Sequence, residues 1–385
     1  MVYYKLRLMK PVKILFITHD ATITGAPILL LNLIGLLLNL HNGKYEIKII
    51  VKNGIGNFIY EFQKIAPTLI WRKPINNGFF KRLLSRFISP NYFCDIKIQQ
   101  WINESDIVFS NTITNGDFFE AFQFPSSVKL ITYVHELEIA TRYYTSPHYL
   151  KYVLQKSHFF LVPSRAVLSH LVKNLNVLSE KILPLHYFIP FEKLDIKDVK
   201  TKEEDEFSVG FVGTLDWRKG ADILPLLLQT FFKKYSNTEV RFKWQGASES
   251  QIEYIRIEYE LQKLGLSDKV TFLKPIKDMT SFYQSIDVLL LISKEDPYPL
   301  VVLEAASNGK PCICFDKAGG APEFVSNNAG TVVPYLDLET FCDAIYTYYT
   351  DSVLLSEHGR NAMELYKQLH LNKELISSEF DFVIQ

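Results

Sequence analysis

The 385-residue chain has few cysteines, no net charge and no apolar run long enough to span a bilayer. Four cysteines at this length argue against a disulfide framework. Cys312 and Cys314 alternate within "PCICFD", a spacing that fits neither a redox motif nor a zinc site. A reducing, cytoplasmic location is the simplest expectation. Lysine plus arginine equals aspartate plus glutamate at 42 each, so no global field draws in nucleic acid, and any anion site must be local. The opening "MVYYKLRLMKPVKILFITHD" lacks the apolar core and small-residue cleavage site of a signal peptide. The most apolar run, 28–40, contains Asn32 and Asn39 and falls short of the roughly 20 residues a bilayer requires, so it reads as a buried helix.

What is present is apolar surface: 48% of the residues are hydrophobic and 14% aromatic, enough to bury two cores of about 150 residues each. Near-continuous apolar runs alternate with helical stretches. In the first half they are "VKILFIT" (12–18), "EIKIIV" (46–51), "DIVFSN" (106–111), "KLITYV" (129–134) and "HFFLVP" (158–163). The second half repeats the theme with "FSVGFVG" (207–213), "EVRFKWQG" (239–246), "KVTFLKP" (269–275), "IDVLLLIS" (286–293), "PCICFD" (311–316) and "GTVVPY" (330–335). Such strands are buried on both faces, as in parallel sheets covered by helices. The pattern predicts an α/β protein with two doubly wound, Rossmann-like domains over 1–190 and 207–365. A charged linker (191–206) joins them, and a closing helix over 366–385 is free to pack on either domain, the first being the expectation.

Four turns suit an anion. The first strand runs into "THDATITGAPILLL", where Gly25 opens a helix and Pro27 takes a position at which its missing N–H costs nothing. This is not a full G-x-G-x-x-G fingerprint, and a plain tight turn explains it about as well. In "VGFVGTLDWRKGADILPLLL" Gly213 ends a strand, Arg218 and Lys219 stand at the tip, and Gly220 leads into a helix. Two cations beside a helix start at a strand's carboxyl end suit a diphosphate, where an isolated Arg-Lys pair would read as a solvated loop. Gly319 and Gly320 in "FDKAGGAPEFV" form the third turn. The fourth is "EDPYPLVVLEAASNGKP" (295–311): Pro297 and Pro299 end a strand, and a helix starting near Leu300 leaves the N–H groups of Leu300 and Val301 free.

Together, "GTLDWRKG", "SKEDPYPLVVLEAASNGKPCICFD" and "GGAPEFV" resemble the nucleotide-sugar domain of GT-B glycosyltransferases, specifically the retaining family 4 (glycosyl transferases group 1). "HDATITGAP" and "YVHELE" (133–138) look like that family's acceptor-side domain. The resemblance implies two Rossmann-like domains facing across a cleft. It implies transfer, with retention, of a sugar from a nucleotide-sugar donor to a saccharide or lipid-linked saccharide acceptor in surface polysaccharide or glycolipid biosynthesis. It places Arg218 and Lys219 on the donor diphosphate, Glu304 on the ribose diol, Asp296 beside the donor sugar, and His135 opposite the sugar and its phosphate. His135, Asp296 and Lys219 are thereby the catalytic candidates, although a lone histidine is more often structural. No cofactor and no metal are expected: the chain has no Asp-x-Asp, the motif that holds a cation on the diphosphate in the metal-dependent GT-A design.

The sequence also departs from the family. Thr214 stands where an arginine is usual, Asp296 replaces a glutamate, and Pro297 and Pro299 replace flexible glycines, stiffening the loop. These changes bear on donor choice or on activity itself. "GFFKRLLSRFISPNYF" (78–93) sets Lys81, Arg82 and Arg86 among apolar residues. It suits an anionic membrane surface, and slightly better a surface helix with its apolar face in the core. Two further readings stay open: a nucleotide-sugar epimerase of the same fold, and a non-catalytic binding protein derived from such an enzyme.

Overall fold

Strands without a polar face must be covered on both sides, and in the computed structural model they lie at the centre of two helix-flanked parallel sheets. The structure describes residues 10–41, 43–72, 92–190 and 206–384. The linker expected over 191–206 and the basic stretch 78–93 fall outside the described residues, save for Glu206 and the last two residues of the stretch.

The first unit comprises residues 1–163, 168–189 and 373–385. In chain order its elements are β1 (Val12–Thr18), α1 (Gly25–Leu40), β2 (Tyr45–Asn53), α2 (Ile59–Ile65), β3 (Thr68–Arg72), α3 (Tyr92–Glu104), β4 (Ile107–Ser110), α4 (Gly116–Ala121), β5 (Lys129–Tyr133), α5 (Glu138–Tyr144), α6 (Pro147–Lys156), β6 (Phe159–Val162), α7 (Arg165–Leu175) and β7 (Ile182–Pro184). The sheet order is β3-β2-β1-β4-β5-β6-β7, with every pair parallel. Ile14 to Ile17 of β1 are at most 1% exposed, as befits a central strand. The short strands β3 and β7 carry no expectation from the sequence. "TLIWR" has one polar-flanked apolar triplet, and "ILP" is only three residues long.

The second unit, residues 164–167 and 190–372, contains β8 (Phe207–Val212), α8 (Leu224–Lys234), β9 (Val240–Gln245), α9 (Ile252–Leu264), β10 (Val270–Leu273), α10 (Thr280–Gln284), β11 (Val288–Leu291), α11 (Leu300–Ser307), β12 (Cys312–Phe315), α12 (Ala321–Val325), β13 (Gly330–Val333), α13 (Leu338–Thr350) and α14 (Ser352–Leu369). Its parallel sheet runs β10-β9-β8-β11-β12-β13. A last helix, α15 (Lys373–Ile384), returns to the first unit. In both sheets the strand order reverses beside the first strand, at β1/β4 and at β8/β11. In open α/β sheets the crevice outside the carboxyl ends at such a reversal is where ligands sit. Among the described residues no helix is long and apolar enough to cross a membrane.

Candidate active site

At the β8/β11 reversal two loops meet. Gly213 (φ 138°) turns the chain out of β8, and its carbonyl accepts the indole N–H of Trp244 at 2.8 Å. Asp216 then shapes the tip. Its carboxylate accepts the Thr214 hydroxyl at 3.0 Å and the main-chain N–H of Lys219 at 3.0 Å. Gly220 closes the loop at φ 74°, where a Cβ would stand 2.0 Å from the carbonyl oxygen of Ile292, so no other residue fits without moving the β11 loop. Sequence reasoning passed over Asp216; its signal is an aspartate three residues before an N–H that needs an acceptor, the pattern of an N-cap.

Across this reversal the Lys219 ammonium reaches Asp296 Oδ2 at 2.6 Å, with the two side chains only 19% and 10% exposed. The main-chain carbonyl of Arg218 accepts the N–H of Lys294 at 2.7 Å, fastening one loop to the other. The Arg218 guanidinium makes no bond to the described residues. Asp296 is tied in turn to the β12 loop: its N–H donates to Ala318 O (2.8 Å), and its carbonyl accepts from Gly320 N (3.0 Å). Gly319 lies alongside at φ 135°, a Cβ there falling 1.8 Å from the carbonyl oxygen of Asp296. The glycine pair therefore lets two loops approach at backbone contact.

Helix α11 starts at Leu300, because Pro299 is extended (φ −71°, ψ 120°). No side chain caps it, and the first N–H bonded to the preceding turn is that of Val302, to Pro299 O at 3.2 Å. The N–H groups of Leu300 and Val301 are thus open to a ligand beside the Lys219–Asp296 pair. Further along this helix, Glu304 accepts the hydroxyl of Tyr283 at 2.6 Å. Burial pushes the Glu304 carboxyl up, while the Tyr283 hydroxyl and the Lys219 charge pull it down. Tyr283 is the second residue the sequence reading missed. It lies on a short helix with no motif around it, and only the fold brings it under Glu304.

In the first unit, Ala26 of the Gly25-Ala26-Pro27 turn and His135 are joined through Asn111, a residue that carried no expectation. The Asn111 amide nitrogen donates to the carbonyl of Ala26 at 2.7 Å, which turns its oxygen toward His135 Nε2 at 3.2 Å. That assignment puts the proton on Nε2 and makes Nδ1 the acceptor for the Tyr187 hydroxyl at 2.9 Å. Burial, with His19 nearby, lowers the ring's pKa to about 3, so it is a neutral imidazole at physiological pH. The next residue, Glu136, is 8% exposed. It accepts the main-chain N–H of His135 (2.9 Å) and of Ile113 (3.4 Å) and the hydroxyl of Thr112, fixing the turn that carries the histidine.

Residues 192–365, a little under half of the chain, match the family of glycosyl transferases group 1. The D-inositol 3-phosphate glycosyltransferase of Corynebacterium urealyticum is 28% identical over 175 residues, which cover 44% of this chain and 41% of that one. The lipopolysaccharide core biosynthesis mannosyltransferase LpcC of Rhizobium leguminosarum is 24% identical over 155 residues, covering 40% of this chain and 44% of its own. The chain thus spans less than half the length of these curated relatives. Among solved structures, the Anabaena protein HepE in complex with UDP superposes with a TM-score of 0.73 at 20% identity, covering 97% of this chain and 99% of that one. HepE has also been solved with UDP-glucose. The expected α/β architecture of the GT-B type is the one found.

Proposed function

We propose that the protein is a retaining, metal-independent glycosyltransferase of family 4, of the hexosyltransferase type. It would move a sugar from a nucleotide-sugar donor to a saccharide or lipid-linked saccharide in surface polysaccharide or glycolipid biosynthesis. The observation that carries this reading is the Lys219–Asp296 pair at the β8/β11 reversal, with the open amides of α11 beside it and Glu304 on the same helix. When the bond from the anomeric carbon to the phosphate oxygen breaks, negative charge gathers on the departing diphosphate. The Lys219 ammonium has three N–H groups and spends one on Asp296, so others remain for phosphate oxygens. Arg218 adds a second charge, and the amides of Leu300 and Val301 add dipoles aimed at the same place. Glu304, steadied by Tyr283, is the natural acceptor for a ribose diol. Asp296 keeps one carboxylate oxygen for a sugar hydroxyl. Gly213, Gly319 and Gly320 admit the donor by lacking a side chain, and Gly25 opens the corresponding turn in the first unit.

In the first unit, His135 is carried as a catalytic candidate: a neutral ring whose Nε2 lies 3.2 Å from the Asn111 oxygen. The match to group 1 glycosyltransferases favours this reading over an epimerase. A cytoplasmic place at the inner face of an anionic membrane, through residues 78–93, is the peripheral part of the proposal. Purified protein assayed against a panel of nucleotide sugars tests the whole. Transfer is expected from one donor, and Lys219→Ala should lower kcat/KM by about 10²–10³-fold. Full activity in both Lys219→Ala and Glu304→Ala would remove the assignment of the site. Flotation with anionic vesicles tests the membrane part: wild type should float, and a charge-reversed Lys81/Arg82/Arg86 variant should not.

A further inference from the structure

The Pro-Tyr-Pro elbow between Asp296 and α11 has little main-chain means of holding its shape. Two of its three residues lack an N–H, so side chains must fix it. Tyr298 points inward and is 7% exposed. Its hydroxyl lies 3.1 Å from Nε2 of His370, the residue at the carboxyl end of α14, which is itself fully buried. The two rings sit 5.5 Å apart, and the His370 ring also lies 6.0 Å from that of Phe324 in α12. A Cβ on Gly320 would stand 2.8 Å from Tyr298 Cδ2 and 2.2 Å from the carbonyl oxygen of Pro297. The seat of the Tyr298 ring therefore sets the height of two ligand-facing loops together, the elbow and the glycine turn.

We infer that Tyr298 and His370 are a positioning pair that fixes Asp296 and the first amides of α11 for the donor. Three observations support it. The pair ties the elbow to the end of a separate, long helix. The elbow's first residues are held by the main-chain bonds of Asp296 with Ala318 and Gly320, the Lys219–Asp296 pair and the Ser164 hydroxyl on the carbonyl of Pro297 at 2.8 Å, while the ring between the prolines ties its second half to α14. Burial, with Glu323 nearby, pushes the phenol well above its usual range, so it stays a protonated donor. Phenylalanine would fill the same volume without the bond to His370, which separates positioning from packing.

The inference rests on the donor reading above, and the experiment keeps the two apart. UDP binding is measured by calorimetry on the full chain, with the donor KM, kcat and melting temperature followed in parallel. Tyr298→Phe should raise the Kd for UDP and the KM for the nucleotide sugar about 10-fold, with kcat changed less than about 2-fold. His370→Phe should give the same loss, and the double variant no more than either alone, as for two halves of one interaction. A wild-type chain that binds no UDP and no other nucleoside diphosphate overturns the donor reading, and this inference with it. Wild-type binding that Tyr298→Phe leaves unchanged, including when its melting temperature falls, overturns the inference alone.

Discussion

His135 shows how far a side chain's surroundings change what its residue type suggests. In the unfolded chain its ring takes up a proton near pH 6.5; in the folded chain it stays neutral down to about 3. Between those values the unfolded state binds more protons, so stability rises with pH across the window and is lost as pH falls below about 6.5. The groups facing the ring explain this: Tyr187 and Asn111 are neutral, His19 repels a second positive charge, and the nearby carboxylate of Glu136 is turned to main-chain N–H groups. His135→Gln should therefore flatten part of the pH dependence of unfolding. Urea midpoints at pH 7.5 and 5 check this, with the wild type expected to lose more than the variant. A ring that ionised near neutrality in the folded chain, as in the unfolded one, would instead leave the two equally sensitive. The position of this histidine, at the end of an apolar strand, was legible in "YVHELE". Its neutrality was not, because Asn111 and Tyr187 lie 24 and 52 residues away along the chain.

At the scale of elements, the site depends on loops that touch through their backbones, and Gly220 is the sharpest instance. At φ 74° and with Ile292 O 2.0 Å from any Cβ, Gly220→Ala meets both a strained dihedral and a clash with main chain that cannot rotate away. The variant should lose roughly 3 kcal/mol or more of stability. Because the displaced β11 loop carries Asp296, nucleotide binding should weaken as well. Thermal melting with and without UDP separates the two effects; a variant as stable as wild type would mean that the loops can part at little cost. Helix α11 was readable for a related reason, since a proline that cannot continue a strand's ladder sets its start at Leu300. The main strands were readable from their unbroken apolar runs. β3 and β7 were not, because edge-ward strands of three to five residues carry too few side chains to establish a period. Tyr283 was hidden for the same reason as Asn111: its role comes from a neighbour 21 residues on that only the sheet brings close.

At the scale of the whole molecule, the first unit is completed by residues from the far end of the chain. In α15, Ile376 and Phe380 are fully buried and Val383 is 2% exposed. Phe380 lies 6.0 Å from Phe109 of β4 and 6.2 Å from Tyr45 of β2, ring centre to ring centre. Polar bonds fix the helix along its length. Glu379 accepts the N–H of His186 at 2.9 Å and faces its ring at 2.7 Å, Ser377 meets His41 at 2.6 Å, and Asp381 receives Lys44 at 2.6 Å together with the Tyr45 hydroxyl. Burying three large apolar side chains is worth about 1.5–3 kcal/mol each. That is comparable with the roughly 5–15 kcal/mol by which an ordinary domain is stable at all. Deletion of residues 373–385 should therefore leave the first unit without a stable fold, while the second unit, whose core lies within residues 207–348, keeps its own. Hydrogen exchange read by mass spectrometry gives the answer by region: protection should vanish in β1, β2, β4 and β5 and persist in β8, β9, β11 and β12. Loss of protection in both sets would show that the second unit depends on the first. Retention in both would show that α15 adds little to the core it covers, and that its buried Phe380 is replaceable by a rearranged Phe109 and Tyr45.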